Sequence, residues 1–270
     1  MMDLTDYIFR PGELPLDRIP PDGGMTAVFR RIGCIGDSLA SGEFESEEVL
    51  GQKHYHDYYE YSWGQYLARM AGLEALNFSR GGMTAEAIIR EYGDLWHMWD
   101  QEKLCQAYII ALGVNDLVGR RMPAGTLDQI DFEDWRNNGT DTFVSGYARI
   151  LLRLQSLQPK GKFFLVTMPR NTDAADDIRR ISETQAELMR GFADRLPNTY
   201  VIDLMQYGPD YNNDFRKRFF LGGHMNPMGY LLTARMFGAY IDYYIRREPG
   251  RFAEAGFIGT PYHNLHTEEV

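Results

Sequence analysis

Short apolar runs alternate with amphipathic segments along most of the chain. Five runs have the composition of strands that are buried on both faces of a sheet, at about 29–35, 75–78, 107–112, 163–168 and 200–204. Apolar spacing, together with start and stop residues, predicts helices at about 62–70, 84–92, 142–157, 174–196 and 228–247. This regular alternation predicts an α/β fold, with a parallel sheet covered by helices on both faces.

Other segments lack this pattern. Residues 1–25 are rich in proline, glycine and acidic side chains, which predicts an extension over the surface with little regular structure. The polar stretch 117–141 is long enough to predict a functional insertion or a lid, and residues 205–221 are predicted to be an irregular loop. We expect a single domain, with 1–25 as an N-terminal extension, 26–247 as the core and 248–270 as a tail.

Composition narrows the class of partner. The chain has 270 residues, 44% of them hydrophobic, and a formal net charge of −10. This acidic balance argues against nucleic acid and against an anionic membrane surface as partners, and no apolar stretch approaches the length of a membrane-spanning helix. The N-terminus lacks a secretory signal pattern, and Cys34 and Cys105 are expected to be buried free thiols, so a cytoplasmic location is predicted. The sequence does not indicate an oligomeric state.

Polar residues that could carry chemistry follow the predicted strands. Ser38, Gly82 and Asn115 each come just after a different strand, and His224 comes just before the last helix. The carboxyl ends of parallel strands share one edge of the sheet, where ligands bind. A serine with a histidine base is a nucleophile for acyl transfer. The backbone N–H groups of Ser38 and Gly82 and the side-chain amide of Asn115 could form an oxyanion hole.

Four motifs in the chain resemble those of the SGNH hydrolases, also called the GDSL esterase/lipase family. Gly36-Asp37-Ser38-Leu39 is similar to its nucleophile motif, and the other three are Asn77-x-Ser79-x-x-Gly82-x-Thr84, Gly113-x-Asn115-Asp116 and His224 before Asn226-Pro227. The resemblance covers roughly 29–245. It implies a flavodoxin-like, three-layer α/β/α sandwich with five parallel strands in the order 2-1-3-4-5, and hydrolysis of esters or thioesters through an acyl-enzyme.

One position departs from that family's pattern. An acid usually stands three residues before the histidine, where this chain has Leu221. Such an acid holds the imidazole in the correct tautomer. The candidates for this role are backbone carbonyls near Leu221, and Asp210 or Asp214 in the preceding loop, whereas Asp203 is expected to be structural.

Several other polar or aromatic residues have competing interpretations. Asp37, Tyr58 and Tyr59 are candidates for substrate binding, although Asp37 is also expected to stabilise the serine turn and the tyrosines could cover the edge of the core. The acidic run 43–48 is expected to be a solvated face. His54-x-His56-Asp57 offers no third ligand, so no metal and no cofactor is predicted.

The function predicted from these observations is a serine esterase that hydrolyses short acyl esters, foremost acetyl esters, with carbohydrates as a candidate substrate class. Its alternatives are a lipase- or thioesterase-type acyl hydrolase, an acyltransferase, and a catalytically weakened scaffold that binds acylated ligands. Glycine spacing argues against a nucleotide-binding α/β fold, because neither G-x-G-x-x-G nor G-x-x-x-x-G-K-[ST] follows the first strand.

Overall fold

A computed structural model describes residues 8–262 of the chain. In chain order its strands are β1 Arg31–Gly36, β2 Glu43–Val49, β3 Gln52–Asp57, β4 Glu74–Ser79, β5 Ala107–Ala111, β6 Lys162–Val166, β7 Thr199–Ile202, β8 Phe220–Leu221 and β9 His224–Met225. Its α-helices are α1 Ser38–Ser41, α2 Trp63–Ala71, α3 Ala85–Ala87, α4 Gly93–Leu95, α5 Phe143–Leu157, α6 Asp176–Arg195, α7 Leu204–Tyr207, α8 Asn213–Phe219 and α9 Pro227–Arg247.

Five of the strands form one parallel sheet, in the order β4-β1-β5-β6-β7. Numbered only among themselves, these strands lie in the order 2-1-3-4-5, so the predicted flavodoxin-like topology is confirmed. Each strand lies close to its predicted bounds, because an apolar run long enough to cross a buried parallel sheet is a strong local signal.

Side chains from the two faces of the sheet form two separate cores. Ile32 and Cys34 of β1 pack in a cluster with residues of α2 and α9. Ile35 points the other way and packs with residues of α5 and α6. The alternation follows from the period of two along a strand, and it gives the predicted three-layer sandwich. Cys34 and Cys105 are buried free thiols, as expected.

Most predicted helix ends follow from their caps. The hydroxyl of Ser62 accepts the Gln65 N–H at the start of α2, and that of Thr142 accepts the Ser145 N–H at the start of α5. Two expectations need correction. The helix predicted at 84–92 is interrupted by a π-helical turn at Ile88–Tyr92, and the loop predicted at 205–221 contains α8 and most of α7.

A hairpin that the apolar pattern did not predict follows the first strand of the sheet. β2 and β3 pair antiparallel with each other, and no further strand within residues 8–262 joins them. β8 and β9 form a second, shorter antiparallel pair. Since β3 is exposed throughout and β2 is polar at most positions, the hairpin lacks the apolar run that marked the buried strands.

The long polar loop packs against the helical face of the sheet. Its Leu127, Phe132 and Trp135 contact the core cluster that contains α5 and α6. Phe132 packs edge-on against Phe192 of α6, with ring centroids 6.2 Å apart. The loop therefore covers part of two helices, and its expected role as a functional insertion or a lid stays a prediction.

The N-terminal segment is fixed to α9 by a buried ion cluster. The Arg246 side chain is 3% exposed, and its guanidinium contacts the carboxylates of Asp242 (2.7 Å) and Glu13 (2.5 Å). It also donates a hydrogen bond to the Ile8 carbonyl. Burying this charge is tolerable because carboxylates and a carbonyl surround it. No helix within residues 8–262 is long and apolar enough to cross a bilayer.

Candidate active site

Ser38 lies in a tight turn at the carboxyl end of β1. Asp37 caps α1, because its carboxylate accepts the Leu39 N–H at 3.1 Å, and Ser38 is the first residue of that helix. Gly36 has no room for a side chain, since an added Cβ would stand 2.6 Å from the Ala40 Cβ. This glycine allows α1 to begin directly against the sheet, which places the serine at the sheet edge.

The Asn115 side chain connects two of the predicted motifs. Its amide donates to the Met83 carbonyl at 3.1 Å and to the Asp37 carboxylate at 3.4 Å. It therefore joins the loop after β4 to the serine turn. Gly82 has a φ of +73°, and a Cβ added there would meet nothing within 4 Å. Its positive φ favours glycine, and the space beside it is open.

His224 is brought to the same place by the short hairpin β8–β9. Gly222 and Gly223 form the turn of this hairpin, and Gly222 has a φ of +63°. α1 contacts both β9 and β2, so the helix that carries Ser38 packs against the strand that carries the imidazole. The structure thus gathers the segments of all four motifs at one edge of the sheet.

Two glutamates from β2 contact the two nitrogens of His224. Glu45 Oε1 lies 3.1 Å from Nδ1, and Glu43 Oε1 lies 3.0 Å from Nε2. Alternate residues of a strand face the same side, which explains why residues 43 and 45 reach one ring. All three side chains are 15% exposed or less. The expectation that the acidic run is a solvated face is wrong for these two glutamates.

The acids considered for orienting His224 have other partners. Asp210 accepts hydrogen bonds from the backbone and hydroxyl of Thr172, and Asp214 contacts Arg218 at 3.3 Å. Within the part of the chain that the structure describes, neither carboxylate contacts His224. Leu221 pairs with His224 across the β8–β9 hairpin, and none of the described hydrogen bonds joins a backbone carbonyl to the imidazole. Ser38 Oγ likewise forms no described hydrogen bond with Nε2, which faces Glu43.

Burial raises the pKa of two carboxyl groups beside the serine turn. It raises the pKa of Asp37 to about 7, with further upward contributions from the nearby Asp116 and Glu43 charges and an opposing hydrogen bond from Leu39. Burial also raises the pKa of Asp116 to about 6. The Asp116 carboxylate accepts the Ala85 N–H at 3.0 Å and so braces the loop after β4.

The pKa values of the two glutamates at His224 are shifted in opposite directions. Burial raises the pKa of Glu43, and the attraction to His224 offsets this only in part. Burial also acts on Glu45, but hydrogen bonds from Lys53, the Gly223 N–H and His224 together outweigh it and hold the pKa of that carboxyl below its ordinary value. Opposite shifts of neighbouring acids are typical of sites that handle protons.

An apolar cavity of about 330 Å³ opens beside these residues. Asp37 and Gly223, the chain neighbours of Ser38 and His224, both line it. The other walls include Val114, which follows β5, and Val166 and Met168 at the end of β6. The cavity could accept an apolar group attached to a carbonyl at the serine.

The sequence model of the GDSL-like Lipase/Acylhydrolase family matches residues 34–232. The chain belongs to this family. It is therefore a carboxylic ester hydrolase. No curated protein matches the sequence.

Solved structures with a similar fold include two carbohydrate esterases and one possible lipase. A family two carbohydrate esterase from Clostridium thermocellum, in complex with cellohexaose, has a TM-score of 0.57 and 17% identity over 82% of this chain and 65% of that one. A carbohydrate esterase family 2 enzyme plus carbohydrate binding domain from Corynascus thermopiles (Myceliophthora fergusii) has a TM-score of 0.54 and 17% identity, over 78% of this chain and 65% of that one. A possible lipase from Chitinophaga pinensis has a TM-score of 0.50 and 18% identity, over 81% of this chain and 98% of that one. This chain spans about two thirds of each esterase's length, and these matches show the shared fold.

The tyrosines of this GDSL-like hydrolase differ in their access to the site. Tyr59 is turned inward, with its hydroxyl 3.3 Å from the Ala75 carbonyl of β4. Tyr58 is exposed and stacks on Tyr61, with ring centroids 5.2 Å apart. The ring beside His224 is that of Tyr55, which packs edge-on at 5.7 Å.

Sequence reasoning did not select Glu43 or Glu45 for this site. A signal was present in the acid-x-acid spacing of residues 43 and 45, which a strand would place on one face. It was missed because the segment has no apolar alternation to identify it as a strand.

Proposed function

We propose that this hydrolase cleaves esters through an acyl-enzyme on Ser38, with His224 as the base. Ser38 Oγ attacks the ester carbonyl carbon while its proton passes to Nε2 of His224. The oxyanion that forms is stabilised by the N–H groups of Ser38 and Gly82 and by the Asn115 amide, which exchanges its longer hydrogen bond, to Asp37 at 3.4 Å, for one to the oxyanion. The C–O bond to the alcohol then breaks, and the departing oxygen takes the proton from His224.

Water completes the cycle by the same route. It attacks the acyl carbonyl while giving a proton to His224, and the acid leaves as Ser38 Oγ recovers that proton. The observation that carries this proposal is the Asn115 bridge between the serine turn and the Gly82 loop, because it links the three segments that supply the proposed donors. The Ser38–His224 hydrogen bond is expected to form with substrate bound, as is common for catalytic hydrogen bonds.

Hydrolysis of p-nitrophenyl acetate tests the assignment of the machinery. Ser38→Ala should abolish turnover, and Asn115→Ala should lower kcat by about 100-fold or more through loss of one oxyanion donor. Ser156→Ala, an exposed serine on α5, is the matched control and should retain full activity. Undiminished hydrolysis by Ser38→Ala would refute the proposal, and a wild-type protein that binds but never turns over acyl esters would favour a binding scaffold.

The favoured substrate class is an acetylated carbohydrate. Two kinds of observation support it. Carbohydrate esterases are among the similar structures, one of them in complex with cellohexaose. Three tyrosine rings are also exposed: Tyr55 packs against His224, and Tyr58 and Tyr61 stack on each other. Aromatic faces of this kind can stack on sugar rings.

A longer acyl chain is the second candidate, and the apolar cavity favours it. A series of p-nitrophenyl esters from acetyl to decanoyl, together with acetate release from acetylated glycans, separates the two. The first candidate predicts the highest kcat/KM for acetyl and release of acetate from a glycan. A maximum at hexanoyl or beyond, with no acetate released, would favour the second. Formation of new esters when an alcohol or sugar acceptor is added would indicate an acyltransferase.

A further inference from the structure

Something other than residue 221 must hold the imidazole of His224. A histidine base needs one ring nitrogen fixed so that the other is free to take a proton. Position 221 is Leu, half exposed, and cannot do this. The carboxylates that meet the ring come from β2, 179 residues away in sequence for Glu45.

The Glu45 carboxylate lies in a cradle formed by the turn that carries His224. Gly223 N–H donates to Oε1 at 2.7 Å, and a Cβ added to Gly223 would stand 2.5 Å from the same oxygen. A Cβ on Gly222 would also collide with this carboxylate. The two glycines therefore leave room for this carboxylate to reach Nδ1.

Glu45 is also held from the hairpin side. Lys53 lies on the neighbouring strand β3, diagonal to Glu45, and its Nζ contacts Oε2 at 3.1 Å. One carboxylate oxygen thus accepts the Gly223 N–H and contacts the imidazole, and the other contacts a lysine. The Glu45 side chain is 9% exposed, so its position is restricted by packing as well as by partners.

Glu43 lacks comparable support for its carboxylate. Its Oε1 contacts Nε2 at 3.0 Å, and its Oε2 lies where a Cβ on Gly81 would be. Among the residues that the structure describes, its carboxylate has no ion-pair partner besides His224. It occupies the nitrogen that must receive the Ser38 proton, so it has to turn aside when an ester enters.

We propose that Glu45 is the positioning acid of this hydrolase, supplied by the β2–β3 hairpin in place of the missing acid at 221. The inference rests on the proposed Ser38–His224 chemistry. The Glu45 carboxylate accepts the Nδ1–H, fixes the tautomer with Nε2 available to the serine, and stabilises the imidazolium as it forms. It does not touch the ester itself.

Kinetics of matched glutamine variants test this role. Glu45→Gln should lower kcat on p-nitrophenyl acetate by at least about 100-fold with little change in KM, because the amide can donate to Nδ1 and favour the wrong tautomer. Gly223→Ala should reproduce much of that loss by displacing the carboxylate. Glu47→Gln removes the same charge from an exposed position of β2 whose carboxylate accepts the Gly51 N–H and makes no described contact with His224, and it should retain wild-type kcat.

A spectroscopic readout separates positioning from general damage to the fold. The low-field proton resonance of a histidine Nδ1–H bonded to a carboxylate should be present in wild type and Ser38→Ala and absent from Glu45→Gln. An active Glu45→Gln protein beside an inactive Ser38→Ala protein would overturn this inference alone. So would a larger loss of kcat in Glu43→Gln than in Glu45→Gln, whereas an active Ser38→Ala would remove the proposed function itself.

Discussion

The charge of Asp37 should reduce stability at neutral and alkaline pH. The side chain is 7% exposed, and burial raises its pKa to about 7, whereas an aspartate in an unfolded chain titrates near ~3.9. Between these values the folded protein retains a proton that the unfolded chain has released. The free energy of unfolding therefore falls as the pH rises from about 4 to about 7.

Asp37→Asn should remove this pH dependence. A shift of about three pKa units corresponds to about 4 kcal/mol at 1.36 kcal/mol per unit. Asparagine has nearly the same shape, keeps an acceptor for the Leu39 N–H and cannot ionise. The variant should thus match wild type near pH 4 and exceed its unfolding free energy by about 4 kcal/mol at pH 8.

Urea denaturation from pH 4 to pH 8 measures this difference directly. The control is Asp134→Asn, because Asp134 caps a turn in the same way, with its carboxylate 3.0 Å from the Arg136 N–H, but its side chain is 41% exposed. The difference in unfolding free energy between Asp134→Asn and wild type should not grow as the pH rises. A difference for Asp37→Asn that stays constant, or that shrinks as the pH rises, would refute the argument from burial.

Two further substitutions test the packing that positions the site. Gly36→Ala places a Cβ 2.6 Å from the Ala40 Cβ and 2.9 Å from the Ala111 carbonyl oxygen. The variant should therefore lower the free energy of unfolding by about 1–3 kcal/mol, and it should lower kcat because α1 shifts. An unchanged melting temperature and unchanged turnover would contradict this. Thr142→Ala removes the cap of α5 and should lower the free energy of unfolding by about 1 kcal/mol without affecting kcat, and a denaturation midpoint equal to that of wild type would show that the cap contributes nothing.

The sheet could be predicted from sequence because its signals are local. A run such as 107–112 is apolar at every position, which only a buried strand or helix tolerates, and glycine at 113 ends it. Caps at Ser62 and Thr142 are equally local. Once the strand order is known, the residues that follow β1, β4 and β5 must share an edge, so the gathering of Ser38, Gly82 and Asn115 required no long-range information.

The partners of His224 could not be predicted in this way. The sequence offers backbone carbonyls near Leu221 first, and then Asp210 and Asp214, because all of them are near His224 in the chain, but Thr172 and Arg218 hold the two aspartates. Glu45 reaches the ring only because a hairpin folds back across the sheet edge. That hairpin is largely solvent-facing, so its residues carry no hydrophobic period by which to recognise it.

The ion cluster at Arg246 has a practical consequence for shortening the protein. Residues 8–23 contribute no strand to the sheet, yet Glu13 and Ile8 supply three of the hydrogen bonds that the guanidinium donates. Trimming the chain back to β1 would leave that cation in the interior with Asp242 as its single remaining anion. The leading arm is thus an internal counterion for the last helix, and expression vectors that omit it should yield insoluble or poorly folded protein.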